Sequence, residues 1–286
     1  MSLPGRPKGE YRSAQHGGCL MSAAVPYWRE AGSGRAIVCL HSNASVSGQR
    51  RMLMTRLADR YRVLAPDSYG SGRSPDWPSD STITLQDEVD LIEPVLQSAG
   101  DPFVLVGHSY GAAIALRTAV RCPARVRALI VYEPTLFSLI EAEGPAPNDA
   151  DGIRDAVAAA VAALQAGDRH EAARCFIDYW MGSGAWANTP DERKMVIADA
   201  VANVRRWAHA LFIEPTPISE FGQLQMPVLY LTGGRSTQSA HGVARRLVKA
   251  LPNVTFVDLP ELGHMGPITD PDVVNQVIED FLLGLA

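Results

Sequence analysis

Apolar positions along the chain fall into two patterns: short unbroken runs, and longer stretches in which they recur three or four residues apart. The run Val104-Leu105-Val106 shows the first best. Consecutive apolar residues suit a strand covered on both faces, whereas a strand with one wet face would alternate. Read this way, the pattern predicts strands at Leu20–Trp28, Ala36–Leu40, Arg62–Ala65, Pro102–Val106, Val126–Tyr132, Pro227–Thr232 and Asn253–Asp258. The second pattern predicts helices over Ser47–Arg60, Leu85–Ala99, Tyr110–Arg121, Ala240–Leu251 and Asp272–Leu283. Pro94 is expected to kink the second of these. Asp270 is placed to cap the last, with Pro271 in its first turn.

Strand and helix alternate, which predicts an α/β fold: a mostly parallel central sheet flanked by helices. The alternation breaks between Ser138 and Gln225. Glu141–Gly152, rich in Gly, Pro, Asn and acidic residues, reads as a loop. Helical runs follow at Ile153–Leu164, Arg169–Trp180 and Asp191–Phe212. A helical block inserted between two strands of a parallel sheet reads as a cap, although a helical layer packed only for stability would show the same periodicity. The chain divides accordingly into a core over 18–137 and 222–286, a helical cap over 138–221, and a loose lead-in over 1–17.

Composition narrows the choice of function. A chain of 286 residues, with 47% apolar and 20% charged residues, can bury a sizeable core. Its net charge of -5 gives no electrostatic footprint for nucleic acid or an anionic membrane surface. No stretch reaches the ~18 apolar residues of a membrane helix. The basic residues near the start are followed by no apolar segment, so no secretory leader is expected. Cys19, Cys39, Cys122 and Cys175 are scattered, without metal-ligand spacing. Reduced, structural thiols in a cytoplasmic protein are the simplest reading. No metal, organic cofactor, nucleic-acid partner or membrane contact is expected, only a small-molecule substrate.

The strongest chemical signal is PFVLVGHSYG at Pro102–Gly111. An apolar strand runs into Gly107-His108-Ser109-Tyr110-Gly111, and a helix of small residues follows. This is G-x-S-x-G in its strand–turn–helix context. A tight turn holds the serine in a strained conformation and lifts its hydroxyl above the sheet edge. A side chain two residues to either side would clash, so both places are glycine. The backbone N–H of Tyr110, next after the serine, is one expected oxyanion donor. An inert serine in a Gly-rich turn is the competing structural explanation.

Four segments in order carry a resemblance to the α/β-hydrolase superfamily: Leu40-His41-Ser42-Asn43, Asp67–Ser74, the elbow around Ser109, and Glu261-Leu262-Gly263-His264. The resemblance spans about Leu20 to Leu283. It implies Ser109 as a nucleophile and His264 as general base and acid. It also implies a second oxyanion N–H from Asn43. The family usually shows His-Gly where this chain has His41-Ser42. His108 then reads as a packing or hydrogen-bonding residue, His41 as a brace, and Asp67–Ser74 as a loop that shapes the sheet edge. His16, His170, His209 and His241 carry no site signal. Trp77, Trp180, Trp186 and Trp207 are candidate walls of an apolar pocket.

The acid departs from the family. It usually follows the strand read here as Pro227–Thr232, but no Asp or Glu lies from Pro227 through Leu251. Serine cannot replace a carboxylate that stabilises imidazolium. Either the acid has moved or the triad is degraded. Some family members place the acid after the strand that follows the elbow helix, which implies Glu133; a Glu-Pro that merely lines the pocket is the structural alternative. The reading that follows is a serine hydrolase of ester-like small molecules. A carbon–carbon bond hydrolase or thioesterase would use the same groups, and a dehalogenase is disfavoured because its nucleophile is a carboxylate. The rival is a non-hydrolytic ligand-binding or lyase-type protein on the same fold.

Overall fold

Seven strands form one sheet in the computed structural model, which describes residues 24–78 and 81–285. The lead-in over 1–17, Cys19 and the start of the first predicted strand lie outside the described residues. The strands are β1 (Trp28–Ala31), β2 (Arg35–Leu40), β3 (Tyr61–Pro66), β4 (Phe103–His108), β5 (Val126–Tyr132), β6 (Val228–Gly233) and β7 (Val254–Leu259). Their order is β1-β3-β2-β4-β5-β6-β7, with β1 antiparallel to β3 and every other pair parallel. The first strand begins at Trp28, where the sequence pattern has it end. It is an edge strand whose Arg29 and Glu30 face solvent, so a search for an apolar run misses it. Charge on an edge also blocks further strand addition.

The unbroken apolar runs are explained by what covers the sheet. On one face Val38, Leu64, Leu105, Leu129 and Tyr230 share a core with α2 (Leu85–Ala99), α3 (Tyr110–Arg121) and α10 (Gln238–Ala250). On the other, Ile37, Cys39, Val63, Val106, Ile130 and Leu229 pack with α1 (Arg51–Leu57) and α12 (Pro271–Gly284). Successive residues of one strand therefore serve opposite cores. The helix predicted over Ser47–Arg60 is a 3-10 turn, Ser47–Arg50, followed by α1. The turn is pulled from regular geometry by tertiary partners: Asp67 Oδ1 accepts the Ser47 N–H at 2.6 Å, and the Arg50 guanidinium reaches the Leu40 carbonyl. Helix α2 runs through Pro94 and opens with a capping box between Thr84 and Asp87. Asp270 precedes α12, but its carboxylate accepts the Thr269 hydroxyl rather than capping the helix.

Between β5 and β6 come α4 (Ser138–Glu141), α5 (Asp151–Gln165), α6 (Arg169–Met181), α7 (Asp191–Val201), α8 (Val204–Phe212) and α9 (Ile218–Phe221); α11 (Gly266–Thr269) follows β7. The single run predicted over Asp191–Phe212 breaks at Ala202-Asn203. Asn203 precedes α8 without capping it through its side chain, whose Oδ1 accepts from the Arg206 guanidinium. Among the described residues no helix is long and apolar enough to cross a membrane.

Candidate active site

Only Ser109 separates β4 from α3, and its φ is 56° with ψ -116°. The two flanking glycines are required by contact. A Cβ on Gly107 would lie 2.4 Å from Ala112 Cα, and one on Gly111 would lie 2.5 Å from the His41 carbonyl oxygen. Gly111 thus sets how closely the elbow approaches the loop after β2. Among the described residues, the non-glycine positions with positive φ are Ala44, Ser109 and Glu133. All three belong to this site, where backbone strain is commonly stored.

The fold brings Ser109, His264 and Glu133 together from three separate strand ends. Ser109 Oγ donates to His264 Nε2 at 2.9 Å, and His264 Nδ1 donates to Glu133 Oε2 at 2.6 Å. A carboxylate can only accept, so the proton belongs on Nδ1 and leaves Nε2 free to take the serine's. All three side chains are buried. Burial pushes the Glu133 carboxyl up, but hydrogen bonds from His264, Ser236 and the Gly233 N–H outweigh it and hold it below the usual carboxylate range. Ser236, where the family's usual acid would stand, turns its hydroxyl to Glu133 Oε2 at 2.6 Å. Glu261 pairs instead with Arg235 at the surface.

The loop after β2 is braced on several sides. His41 Nδ1 donates to the Ser42 carbonyl at 2.7 Å, and its Nε2 accepts the Ser68 N–H at 3.1 Å. Burial holds its pKa below the usual histidine value. Gln49 accepts the Ser42 N–H and donates to its hydroxyl, so the serine that replaces glycine is itself part of the brace. The Tyr110 N–H opens α3 and so has no intrahelical acceptor. Asn43 lines the same cavities as Ser109. His108 donates from Nε2 to the His264 carbonyl at 2.8 Å, and burial first, then the neighbouring His264, lowers its pKa well below the usual value.

Ser109 and His264 face a cleft of about 1000 Å³. Phe176 and Trp180 of α6 and Ile197 of α7 line it, and Ile153, Trp207 and Leu211 line a smaller apolar pocket that also reaches Ser109. Trp180 stacks on the His264 imidazole, with ring centroids 3.9 Å apart and planes inclined by 25°. Of the four candidate tryptophans, Trp180 and Trp207 line these cavities; Trp77 packs on Tyr69 and Trp186 beside His170. Sequence reasoning did not reach the stack on His264, the Gln49 brace or the Arg50–Leu40 contact. Each depends on tertiary placement that no local spacing encodes.

Sheet, elbow and the three assembled side chains define a class. The chain belongs to the alpha/beta hydrolase fold family, whose profile matches residues 35–271. Among its relatives, 2-(acetamidomethylene)succinate hydrolase of Mesorhizobium japonicum is 25% identical over 268 residues, covering 89% of this chain and 90% of that protein. A cis-3-alkyl-4-alkyloxetan-2-one decarboxylase of Shewanella oneidensis is 34% identical over 112 residues, 38% of this chain and only 35% of the relative's length. The thermophilic esterase from Thermogutta terrifontis superposes with a TM-score of 0.73 at 21% identity, covering 91% of this chain and 93% of its own.

Proposed function

We propose that this protein is a serine hydrolase that cleaves an ester-like small molecule through a covalent acyl-enzyme. The observation that carries the reading is the continuous relay from Ser109 Oγ through the His264 ring to the buried Glu133 carboxylate. In this mechanism Ser109 Oγ attacks the carbonyl carbon while its proton passes to His264 Nε2. The backbone N–H groups of Tyr110 and Asn43 hold the resulting oxyanion. The imidazolium then protonates the departing alkoxide. Water, deprotonated by the same nitrogen, releases the acid and restores Ser109. Glu133 fixes the histidine tautomer and offsets the positive charge that forms on the ring. The inserted helices act as a cap that sets substrate size, since α5, α6, α7 and α8 all contribute walls around Ser109. The rival reading, a non-hydrolytic pocket protein, drew its support from the missing acid after Thr232. The hydrogen bond between His264 Nδ1 and Glu133 favours the hydrolytic reading over it.

The test is hydrolysis of 4-nitrophenyl butyrate. The wild type is expected to turn it over, and Ser109→Ala to lose about three powers of ten or more in kcat. A fluorophosphonate should label the peptide containing Ser109. Undiminished turnover in Ser109→Ala, or an adduct confined to another peptide, would refute the assignment.

A further inference from the structure

The wall of the main cleft carries charge of one sign. Arg50, Arg51 and Arg193 line it, and no Asp or Glu does, although acidic residues outnumber basic ones in the chain, 31 to 26. The three arginines come from two separate parts of the fold. Arg50 and Arg51 stand where the 3-10 turn meets α1, and Arg193 is in the first turn of α7. Among the described residues none of the three pairs with a carboxylate. Arg51 and Arg193 are exposed, where an unpaired arginine is ordinary. Arg50 is not ordinary: it is only 5% exposed, and its Nε and Nη2 both donate to one backbone carbonyl, that of Leu40, at 3.1 and 2.6 Å.

Burying a guanidinium without a counter-charge is costly, and such groups are normally paired. The nearby carboxylates are otherwise engaged. Glu133 is held by Thr232, Gly233, Ser236 and His264. Asp67 is held by the Ser47 and Arg73 N–H groups. The cleft thus has three arginines and no acidic side chain among its lining residues. Planar guanidinium donors match an ionised carboxylate through paired N–H bonds.

We propose that the cleft takes an ester carrying a second, ionised carboxylate, held by Arg51 and Arg193 within the field of the buried Arg50. The inference rests on the hydrolytic reading of Ser109 for the reaction, but not for the binding. Two aryl esters of straight-chain acids separate the terms: 4-nitrophenyl butyrate, which is neutral, and 4-nitrophenyl hemiglutarate, whose acyl chain is one carbon longer and ends in a carboxylate. At about 20 mM salt, kcat/KM for the hemiglutarate should exceed that for the butyrate about tenfold, and the ratio should fall towards one near ~0.5 M as charges are screened. The double variant Arg51→Gln/Arg193→Gln should bring the ratio to about one at low salt. Arg169→Gln, which removes a cap arginine paired with Asp199 away from the cleft, should leave the ratio as in the wild type.

Binding is measured separately by calorimetry on Ser109→Ala, with monomethyl glutarate against dimethyl glutarate. The monoanion is expected to bind about tenfold tighter, and to lose that advantage in the Arg51/Arg193 double variant. Equal affinity for the two overturns the inference, whether or not esters are hydrolysed. Tighter binding of the monoanion without turnover of either ester supports the carboxylate site and overturns the hydrolytic assignment alone.

Discussion

Glu133 receives four donors on two oxygens: the Thr232 hydroxyl and Gly233 N–H on Oε1, and the Ser236 hydroxyl and His264 Nδ1 on Oε2. An amide of the same shape must turn its NH₂ towards one of these donors and cannot balance an imidazolium. Glu133→Gln is therefore expected to lower kcat by about three to four powers of ten with KM little changed, read from steady-state hydrolysis of 4-nitrophenyl butyrate. From sequence alone, Ser236→Ala would be nearly silent. Its bond to the oxygen that also serves His264 changes the expectation, because a hydrogen bond to a charged group contributes about 1.5–3 kcal/mol. A kcat loss of about tenfold should be measured in the same assay. The strained turn that holds Ser109 was legible because its motif occupies five consecutive residues, whereas His264 was assigned through the family's ordered segments. Glu133 was reached through the absence of any carboxylate over 227–251 together with the family's variants. Its donors Thr232, Gly233 and Ser236 were not legible, since they arrive from another strand and the turn that follows it.

At the scale of elements, α6 joins the inserted block to the loop that carries His264. Asp168 caps it by accepting the Glu171 N–H at 2.8 Å. Near its other end two adjacent residues reach different parts of the core. The Tyr179 hydroxyl meets Ser239 Oγ at 2.7 Å at the start of α10, and Trp180 lies on the His264 ring. In the proposed mechanism His264 becomes cationic during turnover, and an aromatic face against it contributes roughly 1–2 kcal/mol in a desolvated site. Trp180→Leu should then lower kcat about tenfold on the minimal ester, while Trp180→Phe, which keeps a ring, retains most of it. Equal loss in both variants would make the contact one of packing alone. The extents of α2 and α3 follow directly from the periodicity, since the buried face continues along each and α2 also opens on a capping box. The break between α7 and α8 was not legible because both halves keep a helical spacing; the turn at Asn203 is chosen by packing, which brings Trp207 and Leu211 to the small pocket.

Across the whole molecule, a buried acid outside the relay contributes to how stability responds to pH. Glu88 accepts the Tyr110 hydroxyl at 3.1 Å and the Tyr69 N–H at 3.2 Å, and burial pushes its carboxyl from 4.5 up to about 8. A raised carboxyl favours the fold fully below the unfolded value, and that contribution is lost as pH rises from about 4.5 to about 8. Glu88→Gln can accept from the Tyr69 N–H and donate to the Tyr110 oxygen without ionising. Calorimetric melting should show its Tm less dependent on pH between 5 and 8 than the wild type's, and higher by about 3–5 °C at pH 8. The sheet itself has a historical consequence. Because β5 and β6 are neighbours, with Tyr132 opposite Leu231, Ser236 reaches the same Glu133 oxygen that accepts from the imidazole. A lineage could acquire an aspartate at 236 before surrendering Glu133. Its intermediate would hold two carboxylates that cannot both ionise, sharing one proton between them. Such an ancestor keeps one charged acid behind the histidine throughout, so the acid can migrate between strands by inheritance without any generation losing it.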